Sequence, residues 1–288
     1  MKIFKTVCMV FLSVLILSTI LGVNSCVDNN GTVIKTQAEL ENAFNKGGTY
    51  IIAKDITVNK TLTVKNGNYV QLKCTDSYGS HTITSTFDPE WTNDPAISVE
   101  KGATLKLGLG SATLNLSIPH DIILNIGTLY VYEYAFLHGS YNVIENYGEL
   151  EMDGGKINGL VCNRYKGSFV MNGGEIFDSH PEGAGVFNDG TKFTMNGGEI
   201  YNSFYGVRNG AGGIFNMYGG KIHGNSGNGV SNNSAGDGPD GQTERAIFTM
   251  EGGEIYGNKF GVYTGGIFNW TGGTIHDNSA ANVVYYTP

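Results

Sequence analysis

The chain has 288 residues, of which 43 are Gly, 6 Pro, 14 Phe and 16 Tyr; 40% are hydrophobic and only 15% charged. Glycine at about twice its usual share, with so little proline, excludes collagen-like and proline-rich disordered chains, and the apolar content is enough for a sizeable core. With a net charge of −8 and no basic run, the chain lacks the clustered Lys and Arg that nucleic-acid backbones and anionic lipid surfaces require, so neither is expected as a partner.

Residues 1–25 carry Lys2 and Lys5, no acid, and an apolar run over about residues 7–23. A positive start, an apolar stretch and a small-residue end predict an export signal. The run is also about long enough to cross a bilayer, so an uncleaved anchor is the alternative. The end, Val23-Asn24-Ser25-Cys26, resembles a bacterial lipobox, although Asn24 stands where a smaller residue is usual. The resemblance implies acylation of Cys26, a tether over 26–35, and a membrane contact made only through lipid. Cleavage after Ser25 by ordinary signal peptidase is the other possibility. Removing 1–25 leaves 16 basic and 26 acidic residues, a net of −10.

The folded domain is expected over 36–288 and opens with a short helix over 36–46. Thr36 and Glu39 have the spacing of a capping box, Leu40, Ala43 and Phe44 share one face, and Gly47-Gly48 stops the helix. A helix there would cover the open end of a strand stack, where bare edges invite aggregation. From Thr49 to Ile118 short alternating runs follow, such as TLTV, HTIT and ATLNLSI. Apolar residues at every second position predict strands with one buried face.

A repeat then dominates residues 120–288. Six segments share the form apolar-x-Met/Trp-x-Gly-Gly-x-Ile, starting at Leu150, Phe169, Phe193, Phe215, Phe248 and Phe268, with spacings of 19, 24, 22, 33 and 20 residues. Between them runs a shorter Val-x-Asn element, as at Val161, Val186, Val207 and Val230. A unit of about 22 residues is too short for βαβ, so each strand must pair with its counterpart in the next repeat, giving a parallel solenoid. The Gly pair fits a sharp corner, and Asn residues at turns can bond from coil to coil. Cys74 and Cys162 would lie several coils apart, beyond the roughly 7 Å reach of a disulfide, so two free thiols are expected. At the far end Tyr285 and Tyr286 either cover the last coil or leave it as a contact surface.

Gly154-Gly155 and its five successors, with the Val-x-Asn element, resemble the right-handed parallel β-helices of the pectin-lyase-like superfamily. They resemble more closely the surface repeats of polymorphic outer-membrane proteins. The resemblance covers about residues 36–288. It implies an all-β, right-handed parallel β-helix. Val-x-Asn replaces that family's Phe-x-x-Asn, and no C-terminal membrane barrel follows, which favours lipid anchoring at the outer membrane or cell surface.

Chemistry is sparse. Asp178, His180, Glu182 and Asp189 form the best acid–base cluster and would suit glycosidic cleavage, as in the lyases and hydrolases of that superfamily. An exposed polar loop explains the same residues more simply. Asp237 and Asp240, in a loop rich in Asn, Asp and Gly, could offer oxygens to calcium, without a calcium-binding motif. Catalysis is therefore not the expected role.

The residues following each repeat Ile are Asn158, Phe177, Tyr201, His223, Tyr256 and His276. They should face solvent in one file. The last five would make a strip that either contacts a glycan or a host or extracellular protein surface, or packs upon itself. The expected function is a non-catalytic, lipid-anchored, adhesin-like or glycan-binding scaffold.

Overall fold

Apolar alternation and recurring Gly corners fold the chain as a parallel β-solenoid of about ten turns with a single short helix. The computed structural model describes residues 30–86, 94–119, 121–177, 183–233 and 244–286, and the solenoid lies within the unit formed by residues 31–288. Among the described residues every strand ladder is parallel; the two antiparallel bridges, Cys74 with Ala112 and Thr75 with Gly79, are isolated. Three stacks of strands enclose the core. The first face is an eleven-stranded sheet running from Thr32–Ile34 to Ile267–Trp270. The second includes Glu175–Phe177, Glu199–Tyr201, Lys221–His223, Glu254–Tyr256 and Thr274–His276. The third includes Ala184–Asn188, Tyr205–Asn209, Asn228–Asn232 and Phe260–Thr264. The long strands Ala135–Asn146 and Lys156–Asn163 run through both of the latter faces and join them into one bent sheet.

Register is one residue type over another. On the first face Phe169, Phe193, Phe215, Phe248 and Phe268 pair in sequence, and Met171, Met195, Met217, Met250 and Trp270 pair beside them. The rings stack at 4.7, 4.9, 4.7 and 5.0 Å. The second face contributes Ile157, Ile176, Ile200, Ile222, Ile255 and Ile275, and the third Val161, Val186, Val207, Val230 and Val262. Apart from Trp270 on the last first-face strand, which is exposed, these files interdigitate as a single apolar core. Burial of each large side chain stabilises by roughly 1.5–3 kcal/mol relative to exposure.

The two glycines of each corner serve different needs. The second takes a positive φ, from 76 to 85°, as at Gly155, Gly174 and Gly220, a conformation costly for residues with a Cβ. The first lies against the preceding coil's backbone: a Cβ on Gly219 would sit 2.4 Å from the Asn196 carbonyl oxygen.

Buried amides join the coils at the corner between the third and first faces. Asn125 donates to Asn146, and Asn146 to Asn163, Asn188, Asn209 and Asn232 follow in turn, at 2.7–2.8 Å; Asn232 ends the ladder on the Thr264 hydroxyl at 3.0 Å. All six are fully buried. The same amides also reach first-face carbonyls, as Asn163 does to Lys192 at 3.0 Å, so burial of these polar groups is compensated except at the Asn125 side-chain oxygen, which has no partner among the described residues. A second, shorter ladder runs through Asn225, Asn258 and Asn278 at 2.9 and 3.0 Å.

The helix α1, Gln37–Lys46, carries the complete capping box, with Thr36 and Glu39 satisfying each other's backbone N–H, and buries Leu40, Ala43 and Phe44. It lies between the first two strands of the first face, where later coils carry two strands, and packs on Ile56–Val58 and Leu62–Val64. At the far end Tyr286 stacks on Tyr263 at 4.8 Å, whereas Tyr285 is 71% exposed. Cys74 and Cys162 are free and buried. Burial pushes their thiols up to about 11 and about 12.

Candidate outward face of the solenoid

Each three-residue strand of the second face turns its Ile inward and the residue on either side outward, so the outward residues form two parallel files. In one, Phe177, Tyr201, His223, Tyr256 and His276 pair rung on rung, all half-buried. Successive ring centroids are 5.3, 5.3, 5.0 and 5.4 Å apart, with interplanar angles of 18, 10, 7 and 6°. The rings thus use their faces on one another and offer edges and polar tips to solvent. Asn158 stands one rung before Phe177.

The other file is charged. Lys156 pairs with Glu175 at 2.9 Å and Lys221 with Glu199 at 3.1 Å. The files are cross-linked: the Tyr201 hydroxyl donates to Glu175 at 2.7 Å, and His223 Nε2 lies 3.3 Å from Glu199. The Tyr201 hydrogen bond and Lys156 hold Glu175 below the usual carboxylate range; Lys221 and then His223 do the same for Glu199. Tyr201 is pushed up to about 12, first by burial and then by the Glu175 carboxylate, so it remains a neutral donor. Beside the charged file is a shallow open depression of about 500 Å³, floored by Gly198, Gly220 and Gly253 and edged by Glu199, Lys221 and Glu254. The whole face is a rigid, periodic surface of ring edges, hydroxyls, imidazoles and paired charges.

The acid–base cluster is only partly in view. Asp178, His180 and Glu182 lie outside the described residues, as do Asp237, Asp240 and Cys26. Asp189 is held by Arg164 at 3.5 Å, and Arg164 also binds Glu145 at 3.2 Å, bridging coils. Its carboxylate is therefore already engaged. No group of three or more His, Cys, Asp or Glu among the described residues could hold a metal ion.

Sequence reasoning passed over one cluster, on the first face. Lys106 lies over both Tyr69 and Tyr130, with Tyr132 beside them. Its parts come from coils without the Gly pair, where register cannot be counted from a motif; the alternating Tyr130 and Tyr132 were the only signal.

The fold defines a class, the parallel β-solenoids. The chain matches no protein-family model, and no curated protein or solved structure is significantly similar to it.

Proposed function

We propose that this chain is a non-catalytic, adhesin-like or glycan-binding scaffold, built as a right-handed β-helix of the pectin-lyase-like kind with α1 as its end cap. It is held by lipid on Cys26 at the cell surface or periplasmic face of a bacterial membrane. The partner is a glycan or a host or extracellular protein surface. The observation that carries this reading is the single file of five half-exposed rings at one-rung spacing. A sheet this regular holds its contacts in place before any partner arrives, which lowers the ordering cost of binding. The rings' faces are engaged with one another, so contact is made by their edges, the tyrosine hydroxyls and the imidazoles, as suits a polar, hydroxyl-rich partner.

The test is a panel of glycans and matrix proteins probed with the native chain and with Tyr201→Ser/Tyr256→Ser, each checked for native circular dichroism. The double variant should lose about tenfold or more in affinity. Equal binding by the variant, or no binding by the native chain, would contradict the proposal.

A further inference from the structure

On the first face, rather than the face that carries the ring file, Gln71, Lys106 and Tyr130 occupy the same outward position in three successive coils, the last of them two coils before that of Phe177. Tyr69 stands two residues before Gln71 and donates its hydroxyl to the Gln71 side-chain oxygen. The Lys106 ammonium lies 5.5 Å from the Tyr69 ring centre and 5.0 Å from that of Tyr130. Both are within the range of cation–π attraction. Tyr132 continues the aromatic surface, 6.1 Å from Tyr130 and nearly parallel to it at 12°. Lys106, Tyr130 and Tyr132 are half-buried, and Tyr69 is 36% exposed.

Three features set this lysine apart from a solvated surface cation. It makes no ion pair among the described residues, although the chain is acidic overall. Its long side chain is fixed between two rings, so much of the entropy lost on binding is already spent. The acids of the next coil, Glu151 and Asp153, are engaged by the Asn172 amide one coil further on, at 3.1 and 2.8 Å. A localised positive charge therefore stands among ring faces, a phenol and an amide.

We propose that Tyr69, Lys106 and Tyr130 form a second binding site, for a saccharide unit carrying a carboxylate or sulfate group. The ammonium pairs with the anion, and the exposed aromatic surface receives the sugar's C–H face. This site is separate from the ring file and stands whether or not that file binds glycan.

The experiment titrates the full folded chain with a glucuronate-containing disaccharide, a sulfated disaccharide and neutral cellobiose. Native protein should bind at least one anionic disaccharide and should bind it more weakly as salt is raised. Lys106→Met, which keeps the stem, should weaken that binding about tenfold or more. Lys106→Arg should stay within a few-fold of native, and Tyr201→Ser/Tyr256→Ser should be unaffected. Which anionic disaccharide responds identifies the group recognised. Unchanged binding in Lys106→Met, equal binding of cellobiose, or no binding of any probe at millimolar concentration would overturn the proposal. So would loss of binding in the ring-file variant with Lys106→Met unaffected.

Discussion

The terminal methyl of Met195 fills the space where a side chain on Gly220, one coil later, would begin: an ideal Cβ there would lie 2.6 Å from it. The same relation links Met152 with Gly174, Met171 with Gly198, Met217 with Gly253 and Met250 with Gly273, at 2.5–2.6 Å. Methionine and the second corner glycine are thus one structural unit divided between neighbouring coils.

Gly220→Ala should cost about 2–4 kcal/mol, because its φ of 82° is adverse to a Cβ and the methyl must move. Met195→Ala alone should cost about 2–5 kcal/mol through the cavity it leaves. Together they should cost less than the sum by about 1 kcal/mol, since the truncated Met no longer meets the new Cβ. Urea unfolding of the four proteins checks this. Strict additivity would show that the two positions are not coupled.

The amide ladder should be most sensitive in its middle. Asn188 receives from Asn163 and donates to Asn209 and to the Thr191 carbonyl. Asn188→Val leaves several buried groups unpaired and should cost about 2–5 kcal/mol. Asn125 begins the ladder, its side-chain oxygen has no hydrogen-bond partner among the described residues, and the preceding coil carries Val99 in the same position. Asn125→Val should therefore cost about half as much. Equal losses in urea unfolding would count against a polarised ladder.

Acid should loosen the second face through Glu175 and Glu199. Both are held below their ordinary value of 4.5 in the folded chain. Unfolded carboxylates take up protons near 4.5, whereas the folded ones resist to lower pH. Their contribution is thus present above 4.5 and is lost as pH falls through the lowered values. Both side chains are about a third or more exposed, which limits the joint effect to at most about 1 kcal/mol. Glu175→Gln/Glu199→Gln should flatten stability between about pH 5 and pH 3. A variant with the native slope would place the acid sensitivity elsewhere.

The regular coils were the most legible part of the sequence. The Met-x-Gly-Gly-x-Ile segments give alternation, corner and register at once, because a residue type that recurs at one point of a solenoid can only stack on itself. Thr36 and Glu39 likewise announced α1 through local chemistry alone. The ring file was placed by counting one residue past each Ile. Its self-stacking needed coordinates, since torsions about the side chains, not spacing, decide whether rings face one another or solvent. The Lys106 cluster stayed hidden for a different reason: Tyr69, Lys106 and Tyr130 belong to coils of irregular length, and only backbone pairing shows that they share a face. The methionine methyls were equally silent, as their effect falls on a glycine in another coil.

Rung-on-rung register underlies both proposed surfaces, and cysteine pairs read it directly. With Cys8 and Cys26 replaced by Ser, Phe177→Cys/Tyr201→Cys places two thiols on adjacent rungs, about 4.8 Å apart along the stack, within disulfide reach. Phe177→Cys/His223→Cys places them two rungs apart, about 9.6 Å, and out of reach. Mild oxidation should close the first pair quantitatively and leave the second reduced, as read by the mass of thiol-blocked protein. Closure of the second pair, or failure of the first, would show that these segments do not stack as neighbouring rungs.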